Sequence, residues 1–447
     1  MKKILFVLLG LTAILPGLTG QQAAAQPLGG SPWTLSECIA YALEHSLTVQ
    51  QSALQVQQRE VALSTARASR LPGVSANASQ NFSFGRGLTA DNTYANTNTT
   101  NTGFSLGADM VLFNGMRHQN NIALSKLNLE AATQDLEKAR DDIRIAVAQA
   151  YIQIVYKQEI LEVAERQVGI DSLQVERLDA MIRNGKAAPA DLAAQKATLA
   201  QSRLTAVQAA NSLQLARLDL AQLLELPSPE GFMVAIPALR DPVLPLVTPE
   251  DIYAEAVGIK PVIQAEETRL AYASRNIAYA KGGYLPTLSL NGGLGTNYYT
   301  SSGYPSADFW TQLSNNFSQY VGLSLNVPIF SRMNNRNQVR SARLNYSTQQ
   351  LQLDQAKKNL FKEIQQAWYN AVAARTKFES SVEAEAAASQ SLSLMQAKYE
   401  NGKATITQFN ESKNQYLKAA SDLAQARCEA LYQAALIDFY RGKDIQL

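Results

Sequence analysis

Histidine and cysteine are almost missing from this chain, with two of each among 447 residues. Neither His45 nor His118 has a cysteine, glutamate or second histidine at ligand spacing, so a metal centre or a histidine-driven acid–base site lacks its parts. "NGGLGTNYY" from Asn291 has the glycines of a phosphate loop but no helix follows it, and "NGK" lacks the rest of a P-loop. A surplus of one charge is missing as well: 40 Lys and Arg stand against 38 Asp and Glu. That balance argues against nucleic acid as a partner, because phosphate binding needs a basic excess. Past the first turns of sequence no apolar run reaches about 18 residues, so no membrane-spanning helix is expected. These absences leave no enzyme, no cofactor and no metal site to propose.

The N-terminus supplies the one long apolar run. Lys2 and Lys3 precede Ile4 to Leu18, and Ala23-Ala24-Ala25 offers a cleavage site, so residues 1–25 read as a secretory signal peptide. Cleavage near Gln26 leaves equal numbers of basic and acidic side chains. Cys38 lies behind Glu37 and too far from the apolar run to serve as a lipid-attachment cysteine.

The rest of the chain repeats itself. Thr34-Leu35-Ser36-Glu37 returns as Thr248-Pro249-Glu250-Asp251, and Leu71-Pro72 as Leu285-Pro286, each 214 residues on. Leu112-Phe113 returns as Ile329-Phe330 and Asn184-Gly185-Lys186-Ala187 as Asn401-Gly402-Lys403-Ala404, each 217 residues on. A tandem duplication follows, with repeats at 26–226 and 248–447. Pro227, Pro229, Pro237, Pro242 and Pro245 mark 227–247 as a connector.

Each repeat opens on a capped helix, Thr34 with Glu37 and Thr248 with Asp251. The first is expected to run to Ser69, the second to Lys281 with a break at Lys260-Pro261. Leu-Pro then ends each, and the period changes from 3.6 to 2. Val74, Ala76, Phe82 and Phe84 alternate with Ser and Asn; so do Phe104, Leu106, Met110 and Leu112 with Gly, Ser and Asp109. Leu288, Leu290 and Leu294, then Val321, Leu323, Leu325 and Val327, repeat the pattern. β-Hairpins are expected at 72–113 and 286–330, with strands of ~10–13 residues and loops at 87–101 and 300–318. A half-buried sheet is the ordinary meaning of such alternation. Here the polar faces are Ser, Asn and Gly, with almost no Lys or Glu, and the length suits the ~9–11 tilted residues that cross a bilayer. Four strands cannot close a barrel, and every backbone group in lipid needs a partner. Sharing among chains follows: two copies give eight strands and a filled bore, three give twelve and room for water.

Gly115 to Asn184 and Ser331 to Asn401 read as helices of ~105 Å. Leu129, Leu136, Ile143 and Ala150, with Ala132, Ala139 and Ala146, mark one coiled-coil seam; Leu353, Leu360, Ala367 and Ala374 mark the other. Asn-Gly ends each helix with a left-handed glycine, and a returning helix follows. The tips are at 184–188 and 401–405. Cys38 falls ~50 Å and Cys428 ~66 Å below the barrel, too far apart for a disulfide, so two buried free thiols are expected.

In the order and spacing of these parts, the Leu-Pro strand openings, "LFNG" and "IFSR" at the strand exits, and "NGKAAPADL" and "NGKATITQF" at the tips, the chain resembles a TolC-like outer-membrane efflux protein (outer membrane factor). The resemblance implies a homotrimer with a twelve-stranded β-barrel in outer-membrane lipid and a periplasmic α-helical tunnel. It also implies a passive exit duct for efflux or type I secretion, working with a periplasmic adaptor (membrane fusion protein) and an inner-membrane pump of RND, ABC or MFS type. Such a duct opens by an iris at its tips. Asp191 matches an acidic latch residue and Tyr399 its aromatic partner; the basic partner falls at Ala404, with Lys403 beside it. Gln408 and Glu411 fall where the constriction is lined, and a ring of carboxylates there draws cations. Asn184, Gly185, Lys186, Asn401, Gly402 and Lys403 are the tip residues an adaptor meets first. A solvated helix face is the plain alternative for Asp191, Lys403 and Glu411. The rival class is a fibrous coiled-coil surface adhesin or periplasmic spacer with a β head.

Overall fold

The computed structural model describes residues 32–88, 92–185, 187–228, 230–236 and 247–446. The signal peptide, Lys186 and all the connector prolines except Pro227 lie outside them. Helices α1 (Leu35–His45) and α2 (Leu47–Ala68) lead into β1 (Gly73–Leu88) and β2 (Tyr94–Asn114). The long helix α3 (Arg117–Arg183) descends from the sheet and α4 (Pro189–Leu223) returns. The second repeat follows as α5 (Pro249–Ile259), α6 (Pro261–Lys281), β3 (Thr287–Ser301), α7 (Phe309–Asn315), β4 (Ser318–Asn326), α8 (Asn334–Glu400) and α9 (Ile406–Tyr440). Among the described residues no helix is long and apolar enough to cross a membrane.

The helices obey the duplication residue by residue. α3 and α8 are both 67 residues long and α4 and α9 both 35, each pair starting and ending 217 positions apart. The 214 offset governs α1 and α5 in the same way. It also exposes a break that proline signals missed. Ser46 stands 214 before Lys260 and takes nearly the same extended ψ, 124° against 125°, so the expected single helix to Ser69 is two helices. Tertiary packing holds this break without a proline: Cys38 and Ala42, just ahead of it, are fully buried.

The four strands form one antiparallel sheet in the order β1-β2-β3-β4, so the repeats meet where β2 pairs with β3. Leu106 faces Leu294, Met110 faces Leu290, Leu290 faces Leu323 and Leu288 faces Leu325, which gathers the apolar side chains on one face. The other face pairs Ser75 with Gly107, Asn77 with Ser105 and Asn291 with Gly322. Strand lengths of 16, 21, 15 and 9 residues differ from the expected ~10–13. The expected loop at 87–101 is mostly strand. Thr97, Thr99 and Thr100 are β-branched and pair with Gly85, Ser83 and Phe82, so their polarity did not prevent a ladder. The 300–318 segment holds α7, capped by Asp308, whose side chain accepts from the Thr311 amide at 3.2 Å.

β4 stops at Asn326 while β2 continues to Asn114, because residues 110–114 have β3 to pair with and residues 327–331 have no strand beside them. Ile329, at 95 % exposure, sits in that unpaired stretch.

In the helices, Leu353, Leu360, Ala367 and Ala374 are all buried. Of the first repeat's seam, Leu136 is buried and Leu129, Ile143 and Ala150 are half-buried. The heavier core there is Val147, Ala148, Tyr151, Ile152 and Val155, covered by Trp33 and Phe232. The Tyr151 hydroxyl donates to the Ala235 and Trp33 carbonyls, tying the connector and the N-terminus across mid-helix. Cys38 and Cys428 join that same core as free thiols, and burial pushes both up to about 12.

Candidate functional site: the hairpin tips and the ion pair above them

The two tips fold alike. Gly185 and Gly402 take φ of 68° and 70°, the left-handed geometry that lets a glycine close a helix. Their amides donate to the Ile182 and Tyr399 carbonyls at 2.9 and 3.0 Å. Asn184 and Asn401 turn their side-chain amides back onto the Ala180 and Ala397 carbonyls at 2.7 and 2.8 Å. This is why Asn precedes Gly in both: it satisfies the helix's last carbonyls. The returning helices start differently, α4 with Pro189 in its first turn and α9 with a capping box between Thr405 and Gln408. The Thr405 amide donates to Gln408 Oε1 at 3.0 Å, so this side chain has a structural task besides any at a constriction.

Around the second tip the structure gathers several of the residues singled out from sequence. Tyr399 stacks on Phe409, ring centroids 5.3 Å apart and 18° from parallel. The Arg177 guanidinium lies over the Tyr399 ring at 5.4 Å and 3.7 Å from Glu400. The Tyr399 phenol is pushed up, first by burial; Arg177 opposes this, and the Asp191 carboxylate adds to it. Asp191 and Tyr399 are therefore within electrostatic reach across α4 and α8, though no hydrogen bond joins them among the described residues. Lys403 and Glu411 are exposed on this chain and make no ion pair among the described residues.

Sequence reasoning missed the group between the helices above the tips. Asp171 on α3 and Lys413 on α9 are both wholly buried and paired. Asp171 also accepts from Gln167 at 2.6 Å and from Gln195 at 3.3 Å, besides Ser202. Asn410 accepts from Lys413 at 3.2 Å and donates to Gln195 at 3.3 Å. The available signal was asymmetry between repeats: 217 positions on, Asp171, Gln195 and Ser202 become Ala388, Ser412 and Ala419.

A sequence model of the outer membrane efflux protein family matches this chain twice, over residues 38–225 and 252–440. The chain belongs to the outer membrane efflux protein family. The two matches fall one on each repeat. Outer membrane efflux protein BepC of Brucella suis is 23% identical over 416 residues, covering 92% of this chain and 84% of that protein. TolC of Escherichia coli is 29% identical over 158 residues, 35% of this chain and 32% of its own length. Among solved structures, the Campylobacter jejuni CmeC outer membrane channel superposes with a TM-score of 0.77 at 18% identity, covering 92% of this chain and 87% of that one. VceC of Vibrio cholerae gives 0.74 at 19% identity, with 92% and 97% covered. The fold of this family member is thus that of the solved channels, strand sheet, long helices and tips together.

Proposed function

We propose that three copies of this chain form an outer-membrane exit duct, a twelve-stranded barrel continued by a periplasmic helical tunnel, for a tripartite efflux or type I secretion system. The observation that carries this is the junction between repeats. β2 of one repeat pairs with β3 of the next, and α3 packs on α6. β4 and α8 would carry the same relation one repeat later, but among the described residues the far edge of β4 has no strand to pair with and α8 has no following helix in the place α6 takes beside α3, while β1 and α2 stand open at the other end. Repeating the junction closes both gaps with a second copy. The pair Phe104 and Thr296 becomes, by the 217 and 214 offsets, Val321 of one copy against Phe82 of the next. Three copies, not two, leave an aqueous bore.

In that ring the six tips lie at one level, since tip follows sheet by the same length in both repeats. Asn184, Gly185, Lys186, Asn401, Gly402 and Lys403 would meet a periplasmic adaptor, itself coupled to an inner-membrane pump of RND, ABC or MFS type. Asp191 and Tyr399 form the latch, Lys403 its basic partner, and Glu411 with Gln408 one turn before it narrows the passage. Conduction is passive and no chemistry is performed. The chain divides into a signal peptide at 1–25, repeats at 26–226 and 248–447, and the connector at 227–247.

The test is a double cysteine variant, Phe82→Cys with Val321→Cys, oxidised in isolated outer membranes. A covalent trimer that dithiothreitol returns to monomer is expected. Monomer alone, with both thiols free to labelling, would overturn the shared barrel and the duct with it.

A further inference from the structure

Directly below the sheet the charge has one sign. The segments 61–72, 115–129, 272–286 and 331–347, where the helices meet the strands, hold two, two, two and four Lys or Arg residues and no Asp or Glu. In a chain of 40 basic and 38 acidic side chains this is segregation, not composition. The densest part is the approach to and head of α8, where Arg332, Arg336, Arg340 and Arg343 are all exposed and their side chains make no ion pair or hydrogen bond among the described residues. Their counterparts 217 positions earlier are Gly115, Gln119, Ala123 and Lys126, so three of the four charges belong to one repeat alone.

The helix wheel says where these arginines point. Arg332 precedes the helix; the three on α8, Arg336, Arg340 and Arg343, fall within roughly 60° of each other at about 100° per residue. Asn335, Val339 and Ala342 mark the face toward α6: Asn335 donates to the Gly283 carbonyl at 2.5 Å, and the other two pack on Ala280. The face toward the next copy is read from α3, whose Arg117 and Asp135 meet Tyr279 and Arg269 of α6. The corresponding α8 positions are Asn334 and Gln352. These two faces are roughly 110° apart, and the arginines lie on the wide side away from both. In a ring of helices the narrow angle between neighbours belongs to the lumen. The arginine row therefore faces outward.

Depth identifies what it meets. Ile329 and Phe330, 95 % and 74 % exposed, end the apolar stretch two residues before Arg332. Arg336 is ~6 Å further and Arg343 ~16 Å. The headgroup layer on one side of a bilayer is about 5–7 Å deep, so the first two arginines reach it directly. The others act through about a Debye length, ~8–10 Å. A guanidinium fork suits phosphate oxygens better than an ammonium does.

Resting on the duct proposed above, we infer that this collar binds the phosphate groups of anionic phospholipids in the periplasmic leaflet and sets how deep the barrel sits. The experiment is native mass spectrometry of the full-length assembly in detergent with added phosphatidylglycerol or phosphatidylcholine. Wild type is expected to retain phosphatidylglycerol and little phosphatidylcholine. Changing Arg332, Arg336, Arg340 and Arg343 together to Gln should cut retention about tenfold, while Lys196→Gln with Lys418→Gln, far from the membrane, leaves it unchanged. Should the fourfold variant not assemble, Arg336→Gln with Arg340→Gln is read instead. Equal retention in variant and wild type would overturn the inference. So would altered ion selectivity in planar bilayers without lipid loss, which would put the arginines in the lumen. A wild type that conducts nothing counts against the duct, and lipid retention is scored separately from it.

Discussion

Lys413 reaches across from α9 to pair with Asp171 on α3, and neither side chain touches solvent. The positions 217 residues away carry no such pair: Asp171 is replaced by Ala388, and Lys413 corresponds to Lys196, exposed on α4. In the proposed trimer, by the duplication, α8 would meet the next copy's α4 as α3 meets α9. The seam within the chain is thus pinned by charge, and the seam that the proposed trimer would form between chains is not.

Removing one partner should show this. Lys413→Met leaves a buried carboxylate with only neutral donors, and the expected loss is about 3–5 kcal/mol. Asp171→Leu combined with Lys413→Met removes both charges and should recover most of it. Urea midpoints of the full-length assembly are the measurement. A double variant as unstable as the single would mean that packing, not the uncompensated charge, is what was lost.

Two glycines with the same backbone sign should respond differently. Gly402 has φ of 70° and nothing within 4 Å of an added Cβ, so Gly402→Ala meets backbone strain alone, roughly 1–2 kcal/mol. Gly115 has φ of 65°, and a Cβ there would lie 2.3 Å from the Gly282 carbonyl oxygen and 2.8 Å from Leu285 Cβ. Gly115→Ala must push the α3–α6 junction apart beneath the sheet. Its thermal midpoint should fall further than that of Gly402→Ala, and matching midpoints would show the junction to be pliant.

Both thiols are held neutral by burial, Cys38 and Cys428 each near 12. Their folded values are raised above the unfolded ones, so the stability they contribute is whole below about pH 8.5 and is lost as pH climbs toward 12. Ellman's reagent at pH 8 should find no thiol in the native protein and two per chain in denaturant. Rapid reaction in the native state would contradict the burial.

Much of this was legible in the sequence because duplication doubles each signal. Asn-Gly alone is a weak mark; at Asn184 and again at Asn401 it fixed both tips, and alternation placed the oily face of every strand. The break at Ser46 stayed hidden because no proline announces it, although its counterpart Lys260-Pro261 did. The β1–β2 turn was read too long because Thr and Asn suit loops and paired strands alike. Asp171 and Lys413 were invisible for a further reason: a lone charge on a long helix usually points to water, and only three-dimensional packing of α3, α4 and α9 tells otherwise.

Glu411 stands exposed on α9, with Gln408 one turn before it committed to the Thr405 cap. If the tips close a ring, Glu411 supplies three carboxylates at one level and Gln408 supplies no charge. A ring of acids raises local cation concentration and offers a divalent ion several oxygens at once. Glu411→Gln removes the charge at nearly constant volume. The cation-to-anion permeability ratio in planar bilayers should drop toward unity, and block by added divalent ions should weaken. Lys403→Gln, in the tip turn ahead of α9 and of opposite sign, is expected to shift the ratio the other way if it shares the passage. Unchanged ratios in both variants would place these side chains on the outer surface of the tips, where an adaptor, not an ion, would meet them.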